Sequence, residues 1–412
     1  MVWYLCILTR GTTTFGLRRR KAPHKQQILR RMSDINTQDK NKVLKSLNPT
    51  KIFIPILISL VITGYLFYQD AEQIPWGKLK EASLLWLILA VVTLIVRDAL
   101  YIYRIRYITH KNLSWTSSFY SIMLWEFSSA ISPSAVGGTA LATVVLMKEG
   151  LSFGKSMAYV MTTAILDNLF FLVAGAVVMI LYYSGIFDPF NLFVAISGAG
   201  ATMDWEYVRY MFLISYALIG VYTLFMTYGL FANPHMVKWL FVKITSLRWL
   251  RRFQPMAEKQ GNELVLASKA IKGTNFMYWF RAVGTTFLIW SARYLIVNCL
   301  IAAFVGLSAG AHGFIFSRHV ILWVVLLIGI TPGAAGFAEI AFKAFFQQFA
   351  GAFVLIAALI WRIATFYPYL LFGAIFLPRW IKRVFFKSKD TEDGSPEVLT
   401  TQPIQQRQNN LT

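Results

Sequence analysis

Two proline-glycine runs, ISPSAVGGTA (131–140) and ITPGAAGFAE (330–339), interrupt long apolar segments of the chain. A helix broken inside hydrocarbon leaves backbone groups unpaired at several kcal/mol each, so it persists only where protein or a polar cavity covers it. Each break also starts a new half-helix, at Gly138 or Thr139 and at Phe337 or Ala338, whose first amides have no intrahelical partner. With the positive end of the helix dipole, those amides suit an anion, a lipid phosphate included. Ser132, Ser134, Thr139 and Thr331 either add hydroxyl donors to such a site or only satisfy the broken backbone. The substrate-binding candidates from this pattern are Pro133, Gly137, Gly138 and Thr139 in the first run, and Pro332, Gly333, Gly336 and Glu339 in the second.

Ionisable residues inside the apolar segments form the second pattern: Arg97, Asp98, Glu126, Asp167, Arg281, Arg293, Glu339, Lys343 and Arg362. A charge at a helix centre costs at least ~2.5 kcal/mol on insertion scales, so these groups face one another or a polar interior. Arg293 and Arg362, with Arg97, can clamp a phosphate through two parallel bonds, which Lys cannot. The alternative is internal pairing with Asp98, Glu126 or Asp167, or snorkelling of Arg97 and Arg281 to an interface. Glu126, Asp167 and Glu339 are the candidates for carrying a coupled proton or ion. Glu339 and Lys343, spaced i, i+4, are expected to pair. Glu339 also stands in the first turn of its half-helix, where its carboxylate either joins a site or caps the free amides itself. No nucleophile and base share helical spacing, so no catalytic residues and no enzyme are expected. Cys6 and Cys299, the five His residues and the lack of a P-loop pattern point to no metal and no cofactor.

The elements that must position these groups are membrane helices. Apolar residues make up 57% of the chain and charged residues 14%, well below the roughly 25% charge of a soluble domain. Stretches 52–68, 83–101, 156–183, 207–231, 276–305 and 352–377 approach or exceed the roughly 20 residues that cross a bilayer. The broken stretches 119–147 and 319–350 divide into halves of about 11 to 14 residues, too short to span. The fold expected is an all-α polytopic membrane protein of about six spans plus two broken helical stretches, read as re-entrant hairpins with two tilted, broken spans as the alternative.

Net charge is +21, and its distribution sets an orientation. Lys and Arg crowd the segment before residue 52 and recur as Arg104, Arg106 and Lys111, while 184–206 holds only Asp188, Asp204 and Glu206. Basic residues return in 232–275 and at Arg379, Lys382, Arg383, Lys387 and Lys389. Both termini are then cytoplasmic, and the halves have opposite orientation. Arg97, Trp125, Pro133 and Gly137 recur in order as Arg293, Trp323, Pro332 and Gly336, as in the inverted repeats of secondary transporters. Basic charge of this kind belongs to a cytoplasmic face attracted to anionic inner-leaflet lipids, so no nucleic acid is expected. The stretch after Pro255 in 248–275 reads as an amphipathic helix on that leaflet. Trp76, Trp115, Trp205 and Trp380 fall where interfacial anchors belong. The domain order expected is a basic segment 1–50 with a possible true start at Met32, a membrane domain 51–385, and a disordered tail 386–412.

The run ISPSAVGGTALATVVLMKEGLSFGKSMAYVMTTAILDNLF (131–170), with TPGAAGFAEIAF (331–342) and LIWRIATFYPYLLFG (359–373), resembles the lysylphosphatidylglycerol synthase transmembrane region, the flippase-like integral membrane family. The resemblance covers about residues 50–385. Pro332, Gly333, Gly336, Glu339 and Arg362 carry its specific part, and Pro133, Gly137, Gly138 and Asp167 match in the first half. Thr139 and Thr143 stand near positions where many members have an acidic and a basic residue. The resemblance implies a domain of the inner (plasma) membrane that moves a phosphate-bearing or aminoacylated polar lipid between leaflets. Since only 390–412 follow the membrane region, no synthase activity is expected. The alternatives are a transporter of a soluble organic anion and a non-transporting partner of an envelope-lipid biosynthetic enzyme.

Overall fold

A computed structural model of the chain describes residues 50–70, 72, 74–132, 135–186, 205–247, 250–251, 254–326 and 331–390. The chain divides into Met1–Leu57 and Ile58–Thr412. Of the first unit, the described part is the opening of helix α1 (Thr50–Gln69). The expected N-terminal basic segment and C-terminal tail lie outside the described residues, apart from the last turns of the final helix.

The second unit continues with α2 (Leu84–Ile108), α3 (Trp115–Ile131), α4 (Ala135–Lys148), α5 (Phe153–Ile186) and α6 (Trp205–Thr227). Next come α7 (Pro234–Thr245), α8 (Gln254–Lys272), α9 (Phe276–Ala302) and α10 (Ala309–Leu326). The last three are α11 (Phe337–Ala350), α12 (Val354–Thr365) and α13 (Tyr367–Asp390). No strand occurs among the described residues. Helix starts follow local chemistry. The side chains of Ser114, Asn233 and Asn275 accept from the backbone N–H of Ser117, Met236 and Tyr278, and Pro234 opens α7 where its missing N–H costs nothing.

Six helical stretches among the described residues are long and apolar enough to cross a bilayer: Leu84–Ile108, Phe153–Tyr182, Arg209–Ala232, Phe276–Ala302, Ala309–Leu326 and Phe337–Val384. The last runs through three helices. The segment expected as a single span at 352–377 breaks at Phe366 (φ −127°, ψ −58°), two residues before Pro368, whose ring and missing N–H forbid an unbroken ladder. The halves α4 and α11, 14 residues each, match the short arms expected beside the breaks. Their partners α3 and α10 are longer than expected, 17 and 18 residues, because Ser114 caps α3 early and α10 begins ten residues before the apolar run at 319.

Among the described helices α2 and α9 make the most extensive pairwise contact, and they run antiparallel. Ser83 N–H, before α2, donates to Ala303 C=O after α9, and Tyr278 Oη at the other end donates to Ile108 C=O. The two halves of each broken stretch pack together, α3 with α4 and α10 with α11. Around them the main core joins α1, α5, α6, α9, α10, α11 and α12 through Leu66, Phe170, Phe212, Ile296, Val320, Phe342 and Trp361, all buried.

Two expectations are corrected here. The amphipathic stretch after Pro255 does not present its apolar stripe to a membrane: Leu264, Val265, Ala267 and Ile271 of α8 are buried, with Leu264, Ala267 and Ile271 in a second core under α5 and α7. It is α7 that turns Trp239, Leu240 and Ile244 outward, with Lys243 Nζ 4.4 Å from the Trp239 ring. Trp380 is no interfacial anchor, being buried and donating its indole N–H to Glu149 at 2.6 Å, whereas Trp76 and Trp115 are exposed.

Candidate functional site

The two breaks meet. Ser132 closes α3 in an extended conformation (φ −91°, ψ 141°), as a residue before proline must, and its C=O accepts from Gly333 N–H in the second break at 3.4 Å. Gly333 has φ +59°, and a Cβ there would strike the Phe366 ring, so both the backbone and the packing require glycine. Gly336, at φ +87°, lies against Ile62 of α1 under the same two constraints. Pro133 lies outside the described residues, and Gly137 and Pro332 lie in α4 and in a 3-10 turn.

Beside this junction is a cavity of about 480 Å³. The broken segments contribute Ser132, Thr139, Thr331 and Gly333 to its wall. The charged residues on the wall are Arg104, Glu126, Asp167, Arg293 and Arg362, set among Trp125, Trp290, Trp323 and Trp361. Candidates from both halves of the sequence, far apart in the chain, therefore share one space.

Three charged groups are organised around it. In the first, Arg104 and Asp167 pair through two bonds, Nη1 to Oδ1 at 2.5 Å and Nη2 to Oδ2 at 3.3 Å, with Thr286 Oγ1 accepting from Nη1 and Trp290 Nε1 donating to Asp167 at 2.8 Å. In the second, Glu126 lies between two cations, 3.0 Å from Arg97 Nη2 and 3.6 Å from Arg293 Nη1. Arg97 also sits 3.4 Å from Asp98, whose two carboxylate oxygens share the single Tyr369 O–H donor. Arg293 rests on two indole faces, its guanidinium carbon 4.5 Å from the Trp323 ring centre and 5.2 Å from that of Trp290.

The third group surrounds the start of α11. Glu339 accepts from Gly336 N–H at 2.6 Å and from the Ser59 hydroxyl, while Arg362 Nε stands 2.8 Å from Glu339 Oε1. Arg362 Nη1 also donates to Gly333 C=O at 3.4 Å, tying α12 to the break. The carboxylate is 2% exposed and does not line the cavity. Of the two roles left open by the sequence, Glu339 therefore fills the capping one, and it occupies the Gly336 amide. The expected Glu339–Lys343 pair does not form: Lys343 Nζ reaches Asp70 at the end of α1, 2.5 Å away. A carboxylate that bends back to cap its own helix cannot also reach forward one turn.

Arg104 is the residue that sequence reasoning misassigned. Counted with the basic residues beyond the end of a helix at 101, it is instead 2% exposed within α2, which runs to Ile108. A signal was present, because Arg97, Tyr101, Arg104 and Ile108 repeat at helical spacing, and all four are buried on one face. His319, Trp290 and Tyr369 also line the cavity without having been singled out. Arg281 is exposed, away from the wall. No group of three or more His, Cys, Asp or Glu residues that could hold a metal occurs among the described residues.

An all-helical bundle with six stretches of bilayer-crossing length, and with charged residues buried around a cavity among the helices, defines a multi-pass integral membrane protein. Residues 52–373 match the lysylphosphatidylglycerol synthase TM region, and the chain belongs to that family. It is also similar to a UPF0104 membrane protein of Archaeoglobus fulgidus, 26% identical over 330 residues that make up 78% of this chain and 94% of that protein.

Proposed function

We propose that this protein moves a phosphate-bearing or aminoacylated polar lipid between the leaflets of its membrane, with the head group passing through the cavity at the two breaks and the acyl chains remaining in lipid. The observation that carries this reading is the meeting of the breaks, Ser132 against Gly333, at a cavity whose largely apolar wall carries three arginines and two carboxylates. Irregular backbone survives at membrane depth where it borders such a space, and transporters use this arrangement at their substrate sites. The antiparallel α2–α9 pair, each member leading into a broken helix, supports an inverted repeat with re-entrant hairpins. Charge asymmetry favours an inner or plasma membrane with both termini cytoplasmic, where the outward face of α7 would meet anionic lipid. Under this reading the protein is a carrier and not an enzyme.

The test is movement of head-group-labelled phospholipids in proteoliposomes, comparing the native chain with Ala164→Phe, which narrows the cavity from α5. Movement by the native chain that Ala164→Phe blocks supports the reading. Transport of a soluble organic anion with no lipid movement would favour the second reading, which the same wall of arginines and hydroxyls accommodates.

A further inference from the structure

The three arginines on the cavity wall are not equivalent. Arg104 is held by Asp167 through two bonds, and Arg362 by Glu339 and the Gly333 carbonyl. Arg293 has a single ionic contact, the 3.6 Å approach to Glu126, and donates no hydrogen bond among the described residues. Its flat face is fixed on Trp323 and Trp290, a contact that leaves the N–H edge of the guanidinium available.

Behind Glu126 stands the complementary deficit. Arg97 is fully buried, and its Nε, Nη1 and Nη2 all lack an aligned hydrogen bond although carboxylates lie near. Buried donors left in that condition favour any movement that brings an acceptor into line. Glu126 is closer to Arg97 than to Arg293 by 0.6 Å already, from 3.0 against 3.6 Å.

Resting on the lipid-transport reading and narrowing it, we infer that Arg293 is the residue that takes the phosphate oxygen of the substrate, and that Glu126 holds its place until the substrate arrives. On binding, a phosphate oxygen accepts from the free edge of Arg293, and Glu126 turns fully to Arg97, bringing its carboxylate into line with N–H groups that lack an aligned acceptor. Both cations remain paired throughout, so a charged head group enters without stranding a buried charge. Arg104 and Arg362 keep their carboxylates and act as scaffold. Hydroxyl-bearing residues also stand on the same wall, Ser129, Ser132, Thr163 and Thr331 among them.

The experiment is calorimetric titration of the full chain in phosphate-free maltoside micelles. Short-chain phosphatidylglycerol and inorganic phosphate are the two probes, and Arg293→Gln, Arg293→Lys and Glu126→Gln are compared with the native chain. A charge-assisted bond is worth enough that Arg293→Gln should weaken lipid binding about tenfold or more, with Arg293→Lys between it and the native chain. Glu126→Gln removes the competing anion and should tighten binding several-fold. A purely structural role for these residues predicts loss of affinity in both. Weaker binding in Glu126→Gln, in a preparation that unfolds like the native chain, overturns the inference, as does unchanged affinity or lipid movement in Arg293→Gln. Inorganic phosphate that binds through Arg293 while the lipid does not would keep the anion site and overturn the lipid reading. Binding of neither probe to the native chain overturns the inference.

Discussion

Replacing Glu339 with Leu tests how the second break is held. The substitution removes the acceptor for Gly336 N–H, one partner of Ser59 and the counter-ion of Arg362, itself 5% exposed. Leaving one member of a buried ion pair uncompensated costs about 3–5 kcal/mol, and an orphaned buried amide about 1–3 kcal/mol more. Arg362→Met is the milder single change, because Glu339 keeps the Gly336 amide and the Ser59 hydroxyl as donors. The double variant Glu339→Leu with Arg362→Met no longer buries an unpaired charge and should recover most of the ionic part, leaving a deficit of about 1–3 kcal/mol from the open amide. The coupling between the two positions should therefore reach about 2 kcal/mol or more. Reversible unfolding in mixed micelles, followed by circular dichroism on the four proteins, measures it. A double variant whose loss equals the sum of the singles within about 0.5 kcal/mol would refute the argument that Arg362 and Glu339 hold each other. The same reasoning makes these two residues poor probes of transport, since changing either disturbs the break itself.

Other outcomes follow from neighbouring geometry. Lys343→Met should cost less than Glu339→Leu, because the abandoned Asp70 lies at the end of α1 and is 18% exposed where Arg362 is 5% exposed; a loss matching Glu339→Leu in the same unfolding assay would contradict this. Gly154→Ala should destabilise the α5–α8 crossing, where a Cβ would come 2.5 Å from the backbone O of Gln260 and N of Leu264 and neither can move aside. Gly284→Ala on α9 meets nothing within 4 Å and should stabilise by about 0.5–1 kcal/mol, so the two alanines should shift the unfolding midpoint in opposite directions.

Much of the fold could be read from the chain because its strongest rules are those of the bilayer. Apolar length located α2, α5, α6 and α9 to within a few residues at most of their ends, and the Pro-Gly runs marked both breaks. Partner choice was less legible. Glu339, Lys343 and Arg362 were visible as buried charges, yet which anion meets which cation depends on where α1 and α12 arrive, and sequence spacing carries no such information. Arg104 was missed for a related reason. A basic residue at a helix end satisfies the positive-inside pattern equally well whether it faces cytoplasm or a buried carboxylate such as Asp167. The aromatic shelf under Arg293 joins Trp290 on its own helix to Trp323 on α10, and only the packing of α9 against α10 creates it.

The most direct test of the central claim, that the cavity at the junction of the breaks is a lipid path, is head-group-labelled phospholipid movement in proteoliposomes with native protein, Ala164→Phe and Gly284→Ala. The account predicts movement by the native chain and by Gly284→Ala, and its loss in Ala164→Phe with folding intact. Lipid movement at the native rate in Ala164→Phe, with a bulky ring in the cavity, would contradict it.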